Sequence, residues 1–140
     1  NSDSYYIVEI KSLKRILDAV DKTGRPVLCF IDEVLRGTNT VERIAASSEI
    51  LKNLNTGRAL CFAATHDIEL TTILKDCYSN YHFQEEVTED EVKFDYKLYA
   101  GPATTRNAIK LLNVIGYDKN IIKGAEQRAM HFLTDGNWKS

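Results

Sequence analysis

The sequence predicts an α/β fold in which a parallel sheet carries an antiparallel hairpin at its edge and ends in a helical tail. Three observations predict it. Two apolar runs, Leu28–Ile31 and Ala59–Ala64, are separated by a stretch of helical periodicity. Strand, helix and strand in that order make a right-handed crossover between parallel strands. Two segments with alternating apolar residues flank the acidic turn Thr88-Glu89-Asp90-Glu91, and two helical patterns separated by Gly116 close the chain. The 140 residues, 44% apolar and 27% charged with two prolines, suit one soluble globular α/β domain without low-complexity segments.

Each element has its own local cause. Val8, Leu13, Ile16, Leu17 and Val20 fall largely on one face of a first helix, with Asp3 or Ser4 placed to cap it. Gly24 suits that helix's end and Pro26 bars its continuation. Leu28 to Ile31 then reads as a fully buried parallel strand. Gly37 is expected to take a backbone conformation closed to other residues. Asn39 with Glu42 starts a second helix, whose buried face is traced by Val41, Ile44, Ala45, Ser48 and Leu51 and whose end is marked by Asn55-Thr56-Gly57. After the second strand, Asp67 opens a short helix reaching about Lys75. Tyr81, Phe83 and Val87 and then Val92, Phe94, Tyr96 and Leu98 alternate as the arms of a hairpin at the sheet's edge, with Lys93 and Lys97 discouraging further pairing there. From Thr104 the pattern is helical, through Ile109, Leu112 and Val114, then Ile121, Ile122, Ala125, Ala129 and Phe132.

Chemistry concentrates where the first strand ends. The run V-L-C-F-I-D-E delivers Asp32 and Glu33 to the C-terminal rim of a parallel sheet, where ligands of such sheets bind. Paired acids in this position form a Walker B pattern. The first suits Mg²⁺, a hard cation that prefers oxygen ligands, and the second can orient or deprotonate a water. Acids after an apolar run also serve as helix N-terminal charges or solvated turns. Thr65 and His66 end the next strand at the same level, where a lone histidine otherwise reads as an ordinary hydrogen-bonded or exposed group. His82 and His131 lack such a context and read as surface residues.

The ordered series of two acids, Arg36-Gly37-Thr38-Asn39-Thr40 and Ala63-Ala64-Thr65-His66 resembles the MutS family of DNA mismatch repair ATPases. Ser4-Tyr5-Tyr6-Ile7-Val8-Glu9-Ile10 is similar to that family's serine segment. The resemblance implies a P-loop NTPase-like, ABC-type partial domain. Residues 1–103 would be the C-terminal portion of the ATPase domain and residues 104–140 a helical dimerisation tail. It further implies that Asp32 holds Mg²⁺ through water, that Glu33 and His66 are catalytic, and that Thr65 belongs to the nucleotide site. Ser4 would contact nucleotide in trans, and Arg36, Gly37, Thr38, Asn39 and Thr40 would form a loop at the subunit boundary. The tail departs from the family, which commonly has a tyrosine-glycine-leucine run where this chain has Thr104 to Ile109.

No G-x-x-x-x-G-K-[ST] occurs in these residues, and that loop supplies most of the grip on the β- and γ-phosphates. The expectation is therefore a chain that begins after the Walker A half, with ATP and Mg²⁺ bound by the full-length protein and neither bound, nor ATP hydrolysed, by this part alone. The partners implied are mismatched or branched DNA, through domains absent here, and a second copy in a dimer. A net charge of −2 offers no overall basic field for nucleic acid or anionic lipid. Cys29, Cys61 and Cys77 form no C-x-x-C pair and read as reduced core thiols. With no signal peptide and no membrane-length apolar run, the expected location is the cytoplasm. Two other classes stay open: a different ABC-type DNA-maintenance or transport-linked ATPase, and a non-catalytic dimerisation or interaction module. The two final helices also outline a helix-turn-helix, although Arg106, Lys110, Lys119, Lys123 and Arg128 are not stacked on one face.

Overall fold

The computed structural model of the chain describes residues 4–139. It divides into two compact units, Asn1–Asn80 and Tyr81–Ser140. That division is one of packing and is distinct from the functional boundary expected between residues 103 and 104.

The first unit runs α1 (Tyr5–Lys22), β1 (Val27–Asp32), α2 (Thr40–Leu54), β2 (Ala59–Ala64) and α3 (Ile68–Ile73). β1 and β2 pair in parallel, in register from Val27 opposite Ala59 to Asp32 opposite Ala64. Ser4 caps α1 by accepting from the Ile7 N–H at 3.4 Å. Asp3, the alternative cap, lies outside the described residues. Gly24 has φ +63 just beyond the helix end, a conformation that only glycine adopts without strain. Asn39 accepts from the Glu42 N–H at 3.0 Å while its own amide donates to the Glu42 carboxylate at 2.7 Å, so the start of α2 is fixed by the pair the sequence marks.

The core gathers Leu13 and Val20 of α1, Cys29 and Ile31 of β1, Val34 and Leu35 beyond it, Leu51 and Leu54 of α2, and Leu70 and Leu74 in and after α3. Two expectations are corrected here. β1 is not fully buried: Cys29 and Ile31 face the helices, while Leu28 and Phe30 remain 59% and 71% exposed. With α1, α2 and α3 all contributing to the core on one face, the other face of the strand pair stands open, and Phe30 and Phe62 stack on it with ring centroids 5.4 Å apart. The buried stripe of α2 is also rotated from the expected one. It runs through Ile44, Ser47, Ser48, Leu51 and Leu54, leaving Ala45 exposed and Val41 79% exposed. Ser47 and Ser48 are small enough for close approach, and the Ser47 hydroxyl donates to the Val34 carbonyl at 3.5 Å.

In the second unit β3 (Tyr81–His82) pairs with β6 (Tyr99–Ala100) and β4 (Glu85–Val87) with β5 (Val92–Phe94), both antiparallel. An antiparallel hairpin thus exists, but the expectation that it extends the edge of the parallel sheet is corrected: among the described residues its strands pair only with one another, and each arm is broken into short pieces where continuous alternation was expected. Tyr96 sits at φ +56 between β5 and β6, which interrupts the ladder. The turn is closed by the Thr88 N–H donating to the Glu91 carbonyl at 2.9 Å. His82 is not a plain surface residue: it is half-buried, its Nδ1 lies 2.8 Å from the Gly101 carbonyl, and its ring stacks on Tyr99. His131 is exposed. Helix resumes only at α4 (Ala108–Ile115), four residues later than the expected start; the Asn107 side chain just before it does not cap the helix but donates to Glu85 at 3.0 Å. Gly116 at φ +95 ends α4 with its N–H on the Leu112 and Asn113 carbonyls, and Asp118 caps α5 (Lys119–Asp135) through the Asn120 N–H. α4 packs on α5, yet no described residue of either is buried, and Ile115, Met130 and Leu133 are each about 70% exposed. Among the described residues no helix is long and apolar enough to cross a membrane.

Candidate active site

The parallel register brings Asp32, at the end of β1, level with Ala64, at the end of β2. Thr65 and His66 come directly after, so the rim gathers the acids and the imidazole from neighbouring strands. Asp32 is exposed. Glu33 is half-buried and its N–H donates to the Ala64 carbonyl at 2.8 Å, extending the strand pairing by one residue. Both oxygens of its carboxylate are engaged: Oε1 lies 3.1 Å from His66 Nε2, and Oε2 lies 2.6 Å from Arg36 Nη1. His66 itself is 90% exposed, which leaves the imidazole open to a ligand.

Backbone geometry explains why Glu33 turns this way. Glu33 has φ +53 and Leu35 φ +57, both in the left-handed region that non-glycine residues rarely enter. Each such residue costs about 1–2 kcal/mol, and the turn is held because Val34 and Leu35 are buried almost completely. Full burial of a leucine side chain contributes about 1.5–3 kcal/mol, enough to offset the strain at its own backbone.

The first turns of α1 touch this same loop. The Tyr5 hydroxyl accepts from Arg36 Nη2 at 3.0 Å and the guanidinium lies 5.7 Å from the Tyr5 ring centre. That hydrogen bond, then the adjacent Glu33 charge, hold the Arg36 pKa above its ordinary value. Gly37 is required by crowding: a Cβ there would sit 2.7 Å from Tyr6 Cβ and 3.2 Å from Tyr6 Cα. The expectation that Gly37 needs a backbone conformation closed to other residues is corrected, since the left-handed residues are Glu33 and Leu35. Arg36, Gly37, Asn39 and Thr40 are exposed and Thr38 is half-buried, its hydroxyl 3.5 Å from Glu42 Oε2. Thr65 Oγ1 accepts from the Asp67 N–H at 2.9 Å, a short turn that sets the path of the chain past His66.

Sequence reasoning missed three residues here. Arg43 reaches from α2 to Asp67, with bonds of 2.8 and 2.6 Å that pin the start of α3 just beyond His66. Tyr5 holds Arg36. Glu9 accepts from the Leu35 N–H at 2.5 Å. Tyr5 and Glu9 lie within the Ser4 to Ile10 segment that resembles the family's but had no role of their own there, and Arg43 on α2 is separated from a solvated residue by no spacing rule.

Among the described residues no cluster of three or more His, Cys, Asp or Glu side chains could enclose a metal ion. Mg²⁺ does not require one. It takes one or two carboxylates and completes its shell with water and phosphate oxygens, so an exposed Asp32 at the rim is a fitting donor.

A family model described as MutS domain V matches residues 1–133. The chain belongs to the MutS family. Among MutS relatives, the DNA mismatch repair protein MutS of Natronomonas pharaonis is 33% identical over 127 residues, covering 89% of this chain and 14% of that protein. The protein of the same name from Aquifex pyrophilus is 30% identical over 127 residues, again 89% of this chain and 14% of the relative. That of Thermus thermophilus is 25% identical over 122 residues, 87% of this chain and 15% of the relative. The chain thus spans about one seventh of the length of the curated MutS proteins it matches, and aligns with them over most of its own length.

Proposed function

We propose that this chain forms the Walker B and histidine half of a MutS-type ATPase with a P-loop NTPase-like fold, and that the full-length protein couples ATP hydrolysis to binding of mismatched or branched DNA. The observation that carries the reading is the 3.1 Å approach of Glu33 Oε1 to His66 Nε2 at the C-terminal rim of two parallel strands, with Asp32 beside them. Residues 1–103 would belong to the ATPase domain and residues 104–140 to a dimerisation tail, whose exposed Ile115, Met130 and Leu133 suit packing on another copy.

In this reading Asp32 would hold Mg²⁺, which would supply positive charge to offset that of the bound nucleotide's phosphates. Glu33 orients the attacking water and accepts its proton at a carboxylate oxygen. His66 keeps Glu33 aimed and offers its exposed imidazole edge to the γ-phosphate. Thr65 shapes the turn that presents His66. Ser4, at the positive end of α1, completes the site of the other subunit, and Arg36 to Thr40 lie at the boundary between the two. Glu33→Ala in the full-length protein tests the reading: ATP should still bind while turnover is lost. Unchanged turnover would remove Glu33 from the chemistry.

A further inference from the structure

The turn that carries Glu33 is held from three sides. β2 receives the Glu33 N–H at the Ala64 carbonyl, α2 bonds the Val34 carbonyl through Ser47, and α1 receives the Leu35 N–H at Glu9 Oε1. The last of these is the shortest, at 2.5 Å against 2.8 and 3.5 Å, and it has an acidic side chain as its acceptor.

Glu9 holds this turn at a cost. Its other oxygen, Oε2, is buried and has no hydrogen-bond partner among the described residues. A buried polar atom left unpaired costs about 1–3 kcal/mol, and an apolar residue of similar size would remove that cost only by leaving the Leu35 N–H unpaired in its place. What an apolar residue could not do is hold the Leu35 N–H. That N–H belongs to a residue at φ +57, two positions after Glu33 at φ +53, in a stretch whose relaxation to ordinary backbone angles would swing the Glu33 side chain off the rim.

We propose that Glu9 is a positioning residue for Glu33: its carboxylate clamps the strained turn from α1, and so keeps the Glu33 carboxylate between His66 and Arg36. The proposal rests on the reading of Glu33 as the residue that orients water. Because Ser4 caps the same helix less than two turns away, the clamp also ties the aim of Glu33 to the helix end assigned to the other subunit's nucleotide.

The test uses the full-length protein with Glu9→Met, which keeps the bulk and removes the acceptor, and Glu9→Gln, which keeps an acceptor oxygen. Steady-state ATP hydrolysis gives kcat and KM, and circular dichroism reports folding. Misplacing a catalytic group by about 1 Å can cost on the order of a hundredfold. Glu9→Met is therefore expected to lower kcat by about tenfold to a hundredfold with KM within about twofold, while Glu9→Gln stays within about threefold of the parent. Equal losses in both variants, a kcat unchanged in folded Glu9→Met, or a rise in KM that accounts for the whole effect would overturn the proposal. If Glu9→Met fails to fold, Glu9→Gln decides alone: near-parental kcat supports the clamp and a tenfold fall refutes it. Glu33→Ala run alongside separates the two readings, since full turnover in that variant removes the catalytic assignment itself.

Discussion

Glu33 Oε1 stands 3.1 Å from His66 Nε2, and these side chains come from the ends of two neighbouring parallel strands. Neither residue reaches the other through local sequence, since 32 positions of helix and strand lie between them. Their meeting depends on the register that sets Asp32 opposite Ala64. His66→Ala in the full-length protein should reduce kcat for ATP by about tenfold to a thousandfold, the range expected for loss of one positioned hydrogen-bonding group, with KM little changed. Steady-state kinetics at saturating Mg²⁺ check it, and a kcat within twofold would detach His66 from the reaction.

Gly37→Ala should destabilise the first unit by about 1–3 kcal/mol, the usual cost of forcing a methyl group into a packed contact. The added Cβ would meet Tyr6 Cβ at 2.7 Å, and the backbone of α1 behind it cannot rotate away. Urea unfolding measures the loss. A variant as stable as the parent would show that α1 and the Arg36–Thr40 loop are not in close contact.

Arg43→Ala should cost about 1.5–3 kcal/mol, because it strips both bonds from an Asp67 carboxylate that is only 15% exposed. The hydrogen bond to Asp67 is also what holds the Arg43 pKa above its ordinary value. Asp67→Ala alone and the double variant complete a cycle. A coupling energy near zero would mean that the pair contributes nothing to stability.

Alkaline pH should weaken the fold in a defined window. Burial, and then the neighbouring Cys29, push the Cys61 thiol up to about 12 from an ordinary value of 9.0. Burial raises the pKa of the Tyr78 hydroxyl as well, and its O–H donates to the Leu51 carbonyl at 2.7 Å. Both groups are neutral when protonated, so above the unfolded thiol value the unfolded chain releases protons that the folded chain keeps. The thiol's contribution is complete below about pH 9 and is lost as pH rises through about 12. Thermal unfolding between pH 8 and 12 should show a falling Tm, and Cys61→Val should flatten the fall. An equal slope in that variant would exclude the thiol as its source.

The open face of the strand pair predicts how the isolated chain behaves. Leu28, Phe30, Leu60 and Phe62 are each more than half exposed, and a contiguous apolar surface of this kind drives association in water. Sedimentation of the chain should show self-association that Phe30→Asp with Phe62→Asp suppresses. A parent chain monomeric at high micromolar concentration would contradict this.

Strand, helix and strand were legible in the sequence because each has a local cause: apolar runs for β1 and β2, the Asn39 and Glu42 pair for the start of α2, glycine just beyond α1 and α4. The acids were legible for the same reason, since a strand that stops at Asp32 must present the next side chains at its rim. Local pattern could not say which side of β1 would be covered, because that depends on three helices choosing one face. Nor could it separate Glu9, Tyr5 and Arg43 from other polar residues on helices. Their roles arise from contacts across 24 to 31 positions, and only packing decides which distant backbone group a side chain meets. The need for glycine at position 37 was misread likewise, as crowding by Tyr6 is a property of two elements and not of one. Which chemical groups reach the rim of the sheet was thus written into the order of residues alone. How the turn that aims them is held became visible only in three dimensions, because that restraint comes from helices far along the chain.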